Sequence, residues 1–185
     1  TTNYSDNAAW CWGSNVYGQF GINNTTSSIV PIHIPPASLS GPTQISAGSG
    51  FTCAIIGPGA SSSVRCWGRN NYGQLGTGNT IQRLTPTNVD LTNVKQISAG
   101  AYSTCAVLNN GTVWCWGRNN YGQLGDNSTI NRTSPVQVSG ITTAKQVSVG
   151  GFASCAVLNN GTVWCWGFNE TGVLGIGNNV SKKIP

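Results

Sequence analysis

Apolar residues along this chain come in short runs separated by Asn-, Gly- and Ser-rich punctuation, and the runs repeat. Cys105-Ala-Val-Leu108 and Thr112-Val-Trp-Cys-Trp116 flank Asn109-Asn110-Gly111. Two runs rich in β-branched and aromatic residues, split by an Asn-Gly turn, predict a β-hairpin. The stretch returns from Ser154 to Gly175, appears in looser form from Phe51 to Gly76, and opens the chain truncated from Ala9 to Gly21. The cysteines of the four Cys-Trp-Gly triplets, Cys11, Cys66, Cys115 and Cys165, are 55, 49 and 50 residues apart. A period near fifty marks one supersecondary unit stacked repeatedly, each copy burying its apolar face on the next. No window carries sustained helical periodicity.

The rest of the unit also reads as strands. Thr43-Gln-Ile-Ser-Ala-Gly48, Lys95-Gln-Ile-Ser-Ala-Gly100 and Lys145-Gln-Val-Ser-Val-Gly150 precede the hairpins. Pro135-Val-Gln-Val138 follows one of them as an edge strand, where a missing N–H is tolerated. Four short antiparallel strands per fifty residues describe a propeller blade, so the fold class is all-β. The cysteines fix the hairpin register. A three-residue loop closing on Gly111 at positive φ sets Leu108 opposite Thr112 and Cys105 opposite Cys115, whereas a two-residue loop turns the sulfurs to opposite faces. Directly opposed residues lie about 4.5–5.5 Å apart between Cα atoms, a span a disulfide accepts. Disulfides Cys105–Cys115 and Cys155–Cys165 follow, with Cys53–Cys66 closing a longer loop.

Taken together, Thr-Cys-Ala-Val-Leu, Gly-Thr-Val-Trp-Cys-Trp-Gly, Tyr-Gly-Gln-Leu-Gly and the Ile-Ser-Ala-Gly strand resemble the regulator of chromosome condensation repeat, over nearly the whole chain. The resemblance implies a seven-bladed propeller. Three complete units and a remainder fit into residues 1–185, which are read as a partial β-propeller of four-stranded blades, about three and a half of them, with no second domain. The chain begins and ends within a unit. An open arc exposes strand edges that closure normally removes, so a piece of a larger protein, or a chain completed by a neighbour, is expected. Cys11 lacks the preceding strand that its counterparts have, and its disulfide partner is predicted to lie outside residues 1–185. The Gly-Trp-Arg-His-Thr run of a light-sensing branch of the family is absent.

Composition narrows the function. Charged residues make up 7% of the chain against about 25% in an average domain. The acids are Asp6, Asp90, Asp126 and Glu170, at different phases of the repeat, and His33 is the one histidine. General acid–base chemistry needs two positioned titratable groups, so an enzyme is not expected, nor is any cofactor. No cysteine pair has zinc-ligand spacing, so no metal is expected. Seven cysteines, six in facing pairs, point to an oxidising, extracellular setting. Nine Asn-x-Ser/Thr sequons begin at Asn3, Asn23, Asn24, Asn110, Asn127, Asn131, Asn160, Asn169 and Asn179. Asn127 and Asn131, in a Ser/Thr-rich linker, are the favoured glycan acceptors. Asn110 and Asn160 sit in tight turns and rank below them. The net charge of +5 is dispersed rather than clustered, which disfavours nucleic acid. No apolar run within residues 1–185 spans a membrane or reads as a signal peptide, so a targeting segment is expected to have been removed or to lie outside these residues.

Positions shared between repeats form rings on a propeller. Trp12, Trp67, Trp116 and Trp166 follow each ruler cysteine and are expected between blades. Trp10, Arg65, Trp114 and Trp164 precede it and are assigned to the opposite blade side, partly exposed. Arg69-Asn70 with Tyr72, and Arg118-Asn119 with Tyr121, are the candidate binding rim. The reading is a secreted or cell-surface propeller that binds a protein or glycan, or assembles with copies of itself. Its rivals are a subunit of a glycosylated extracellular fibre and a nuclear exchange factor or chromatin-binding propeller, the latter disfavoured by the cysteines.

Overall fold

A computed structural model of the chain describes residues 9–35 and 37–185. Asp6 and the sequon at Asn3 lie outside them. Thirteen strands run in order: β1 Ala9–Gly13, β2 Ser28–Ile34, β3 Pro42–Ala47, β4 Phe51–Ile56, β5 Ser63–Gly68, β6 Arg83–Thr92, β7 Val94–Ala99, β8 Ser103–Leu108, β9 Val113–Gly117, β10 Arg132–Gln137, β11 Ala144–Val149, β12 Ala153–Leu158 and β13 Val163–Gly167. They form four antiparallel sheets, each meandering in sequence order: β1-β2, β3 to β6, β7 to β10, and β11 to β13. A bridge from Gly167 to Lys182 starts a fourth strand on the last sheet. The period-two patterning has become blades. No helix among the described residues is long and apolar enough to cross a membrane.

The hairpin register is the one the cysteines require. Cys53, Cys105 and Cys155 pair with Cys66, Cys115 and Cys165 across β4–β5, β8–β9 and β12–β13. Each pair is disulfide-bonded with its Cα atoms 4.1 Å apart. Gly111, at φ 80°, closes the three-residue loop, its N–H donating to Leu108 O at 2.9 Å. The left-handed conformation is open to glycine without a Cβ penalty.

Blades stack by pairing one sheet's cysteine face with the next sheet's tryptophan face. Cys53, Cys66, Ile55 and Val64 of the β3–β6 blade share a core with Ala106 and Trp116 of the β7–β10 blade. Cys105, Cys115, Val107 and Val113 do the same with Ala156 and Trp166. Ala9 and Cys11 meet Ala54 and Trp67. Trp67, Trp116 and Trp166 are fully buried, as a position between blades demands, whereas Trp12, against which no blade of the described residues packs, is 64% exposed. The assignment of the two tryptophan rings to opposite blade sides is corrected. Residues two apart in a strand share a face, and Trp114 packs against the same core as Trp116. Trp10 and Trp164, at the same phase, are exposed.

Polar links repeat alongside this core. The Gln44 amide accepts from Ile97 N–H at 3.0 Å and donates to Ile97 O at 3.2 Å, and Ser46 Oγ accepts from Ala99 N–H at 2.9 Å. Gln96 and Ser98 bind Val147 and Val149 in the same way. Each Gln-x-Ser strand thus adds a side-chain ladder to the next inner strand. In the last blade the equivalent Gln146 and Ser148 are exposed.

Candidate binding face

The loops that follow the four Cys-Trp-Gly strands, Arg-Asn-Asn-Tyr-Gly-Gln-Leu at 69–75 and 118–124, leave one end of each sheet, and a buried asparagine shapes each. Asn70 Oδ1 accepts from Leu75 N–H at 3.0 Å, while its Nδ2 donates to Asn79 O at 2.9 Å and Ile81 O at 3.0 Å. Asn119 Oδ1 accepts from Leu124 N–H at 2.9 Å, and its Nδ2 donates to Asp126 Oδ1 at 3.0 Å and Ser128 O at 3.2 Å. Asn15 and Asn169 repeat the pattern. All four are 0% exposed. Asn70 and Asn119 are therefore not rim residues: their side chains are buried and tie the loop together, both N–H groups of each amide being engaged within it. Gln74 and Gln123 complete the loop, their side chains accepting from Tyr72 and Tyr121 N–H. The Gln74 carbonyl takes Trp116 Nε1–H and the Thr104 hydroxyl of the next blade, each at 2.9 Å.

Held this way, the arginines and tyrosines line up across blades. Tyr72 meets Tyr102 edge-on at 5.4 Å, Tyr102 stacks with Phe152 at 6.1 Å, and Tyr121 touches Phe152 at 5.4 Å and Phe168 at 5.0 Å. The Arg69 guanidinium lies 5.1 Å from the Tyr17 ring and 5.5 Å from Tyr102. Arg118 lies 5.1 Å from Tyr72, 5.5 Å from Tyr102 and 5.0 Å from Phe152. These distances suit attraction between a cation and a ring face. Of the rim residues, Arg69, Tyr72, Arg118 and Tyr121 are thus brought into one half-buried file. Tyr17, Tyr102, Phe152 and Phe168 join it although the repeat pattern did not single them out. Their signal was available: Tyr102 and Phe152 each stand two residues after a strand-ending glycine, and Phe168 occupies the phase of Arg69 and Arg118.

Other titratable groups have local roles. Asp126 pairs with Arg132 at 2.8 Å, its side chain only 6% exposed. Burial by itself raises the Asp126 pKa, but hydrogen bonds from Ser128, Arg132 and Asn119 outweigh it and hold the carboxyl below its ordinary value. His33 lies against Trp10, ring centres 5.0 Å apart. Cys11, opposite Ile32 on β2, is unpaired and half-buried, and burial pushes its thiol pKa up. Among the described residues no three His, Cys, Asp or Glu side chains gather as metal ligands would.

The sequons separate by accessibility. Asn127 is exposed at φ 62°, and Asn131 is exposed while its Oδ1 accepts from Asn119 N–H at 2.8 Å. Asn110 and Asn160 are exposed at the opposite ends of their blades, each Oδ1 accepting from the Thr112 or Thr162 hydroxyl at 2.8 Å. Asn169 is buried.

A family model described as the regulator of chromosome condensation (RCC1) repeat matches residues 6–55, 63–107 and 110–157, and a second with the same description matches 94–123 and 144–173. The ultraviolet-B receptor UVR8 of Arabidopsis thaliana is 32% identical over 106 residues, covering 56% of this chain and 23% of that protein. The crystal structure of human WBSCR16 superposes with a TM-score of 0.82 at 26% identity, over 97% of this chain and 47% of that one. Prp20p of Saccharomyces cerevisiae, whose structure is described together with its binding to Gsp1p and histones, gives 0.81 at 21% identity, over 95% and 45%. The chain spans under half the length of these solved structures and about a quarter of the curated relative.

Proposed function

The chain belongs to the regulator of chromosome condensation repeat family, and from that premise we propose that it is a non-catalytic binding propeller of an extracellular, oxidising setting that holds a protein partner on the Arg69–Arg118 face. One observation carries the setting: a disulfide closes the central hairpin of every blade from β3 onward. Such bonds persist outside the reducing cytosol and nucleus, and each contributes on the order of 3 kcal/mol by restricting the unfolded chain. The non-catalytic reading is supported by Asp126 being tied to Arg132 within its own loop.

A protein partner is in keeping with the relative described as binding Gsp1p and histones. The half-buried aromatic file supplies what such a contact needs, since tyrosine and arginine are favoured anchors in protein interfaces. Assembly with further repeats of the same kind is a second reading, favoured by the uncovered Gln146 and Ser148 ladder. Residues 1–185 are in this reading one partial propeller, and Cys11 is bonded to a cysteine outside them. A nuclear exchange-factor role is favoured by the fold match, but it leaves the three cysteine pairs without an oxidising milieu to form them.

Cross-linking of the secreted chain to its extracellular partners, wild type against Tyr102→Ala, tests the reading. A cross-linked protein that disappears with Tyr102→Ala is the expected result. Cross-linking unaffected by that change, or confined to nuclear proteins, overturns it.

A further inference from the structure

Among the described residues, two cations of the aromatic file have no counter-charge. Arg69 and Arg118 are half-buried, their Nε atoms are buried without a partner, and their guanidinium groups make no hydrogen bond to a described residue. Among the described residues the carboxylate engaged in an ion pair is Asp126, with Arg132. The rings lie against the guanidinium centres at 5.0–5.5 Å, and a guanidinium can form paired hydrogen bonds to an oxyanion through its terminal amino groups. We propose that Arg69 and Arg118 are a carboxylate-recognition pair for an acidic, extended peptide segment of the protein partner.

Spacing and surroundings favour a peptide over a polyanion. Both guanidinium centres lie 5.5 Å from the same Tyr102 ring, so their separation has an upper bound of about twice that. In an extended strand, side chains two residues apart share a face at about 6.6 Å, inside that bound, so two carboxylates two residues apart reach both arginines. Neighbouring blades carry Ser14 and Phe168 at the same phase, so the positive charge stops after two sites. A sulfated glycan or nucleic acid would need the basic row to continue.

This deepens the reading of the face as a binding surface and rests on it. Fluorescence anisotropy of the labelled peptide (Gly-Glu)5 with the full chain tests it, against (Gly-Gln)5 and a heparin fragment. Binding of the Glu peptide at least tenfold tighter than the Gln peptide is expected, with a loss of at least tenfold in Arg69→Gln/Arg118→Gln and no change in Lys95→Ala/Lys145→Ala. Arg118→Glu is expected to move preference toward (Gly-Lys)5, which separates recognition from misfolding. Equal affinity for the Glu and Gln peptides, indifference to both arginine variants, or heparin binding weakened equally by the lysine variant overturns the proposal. A partner that cross-links through Tyr102 but ignores Arg69 and Arg118 leaves the face standing and removes the carboxylate pair.

Discussion

The Trp116 indole donates its Nε1–H to the carbonyl of Gln74 in the preceding blade at 2.9 Å. Trp67 and Trp166 make the same bond to Gln19 and Gln123 at 2.8 and 2.9 Å. Beneath each indole a glycine leaves room: a Cβ at Gly21, Gly76 or Gly125 would come within 2.7–2.8 Å of the ring nitrogen. At Gly175, in the last blade, nothing lies within 4 Å. One polar bond, one buried ring and one missing side chain thus set the distance between blades.

Trp116→Ala is accordingly expected to destabilise the chain by about 3–5 kcal/mol, the range for removing a large buried aromatic. Trp116→Phe should cost less but leave the Gln74 carbonyl short of a donor. Trp12→Ala, at a 64% exposed site, should change stability by under about 0.5 kcal/mol. Denaturant unfolding of the three variants, with all disulfides intact, measures the contrast.

Asn119→Ala removes hydrogen bonds to Leu124, Asp126 and Ser128 and strands buried backbone groups, so a loss of about 2–3 kcal/mol is expected. The same change should weaken partner binding, because the loop that carries Arg118 and Tyr121 is no longer fixed. Asn120→Ala, at an exposed neighbour, should do neither. Paired unfolding and binding curves check this.

Asp126 gives stability a pH dependence of defined sign. Its folded pKa lies below the ordinary carboxylate value, so its contribution is present in full above that ordinary value. It is lost as pH falls from there through the folded pKa. Wild type should therefore lose stability on acidification more steeply than Asp126→Asn, and the two curves should run parallel from pH 6 to 7. Thermal unfolding from pH 7 down through the carboxylate range reads it out.

Glycans are expected at Asn127 and Asn131 when the chain passes through a eukaryotic secretory pathway, because both are exposed. Asn169 should stay bare, since its side-chain nitrogen is bonded to Asn178 O at 2.7 Å inside the loop. Peptide-level mass spectrometry after enzymatic deglycosylation decides each site separately.

The hairpins were readable because strand geometry is local: with period two, a three-residue loop sets Cys105 opposite Cys115 and a two-residue loop does not, so the cysteines themselves select the register. Asn70 and Asn119 were misplaced for a physical reason. A polar residue in a glycine-rich loop reads as surface, and only the returning chain, nine and eleven residues on in the case of Asn70, supplies the carbonyls that bury it. Arg69 and Arg118 were visible as a repeated phase. Arg69 meets Tyr102, and Arg118 meets Tyr72 and Phe152, only once neighbouring blades stack, so no window of sequence contains the file. The tryptophan rings show the opposite failure, an avoidable one, since Trp114 and Trp116 are two residues apart and strand pleating alone assigns them to one face.

The central claim, a binding propeller made for an oxidising environment, turns on the state of six thiols in native material. The decisive measurement is alkylation during extraction from the natural source, followed by non-reducing peptide mapping. The account predicts Cys53–Cys66, Cys105–Cys115 and Cys155–Cys165 linked at full occupancy, with Cys11 joined to none of these six. Six alkylated thiols at those positions in freshly extracted protein would contradict it.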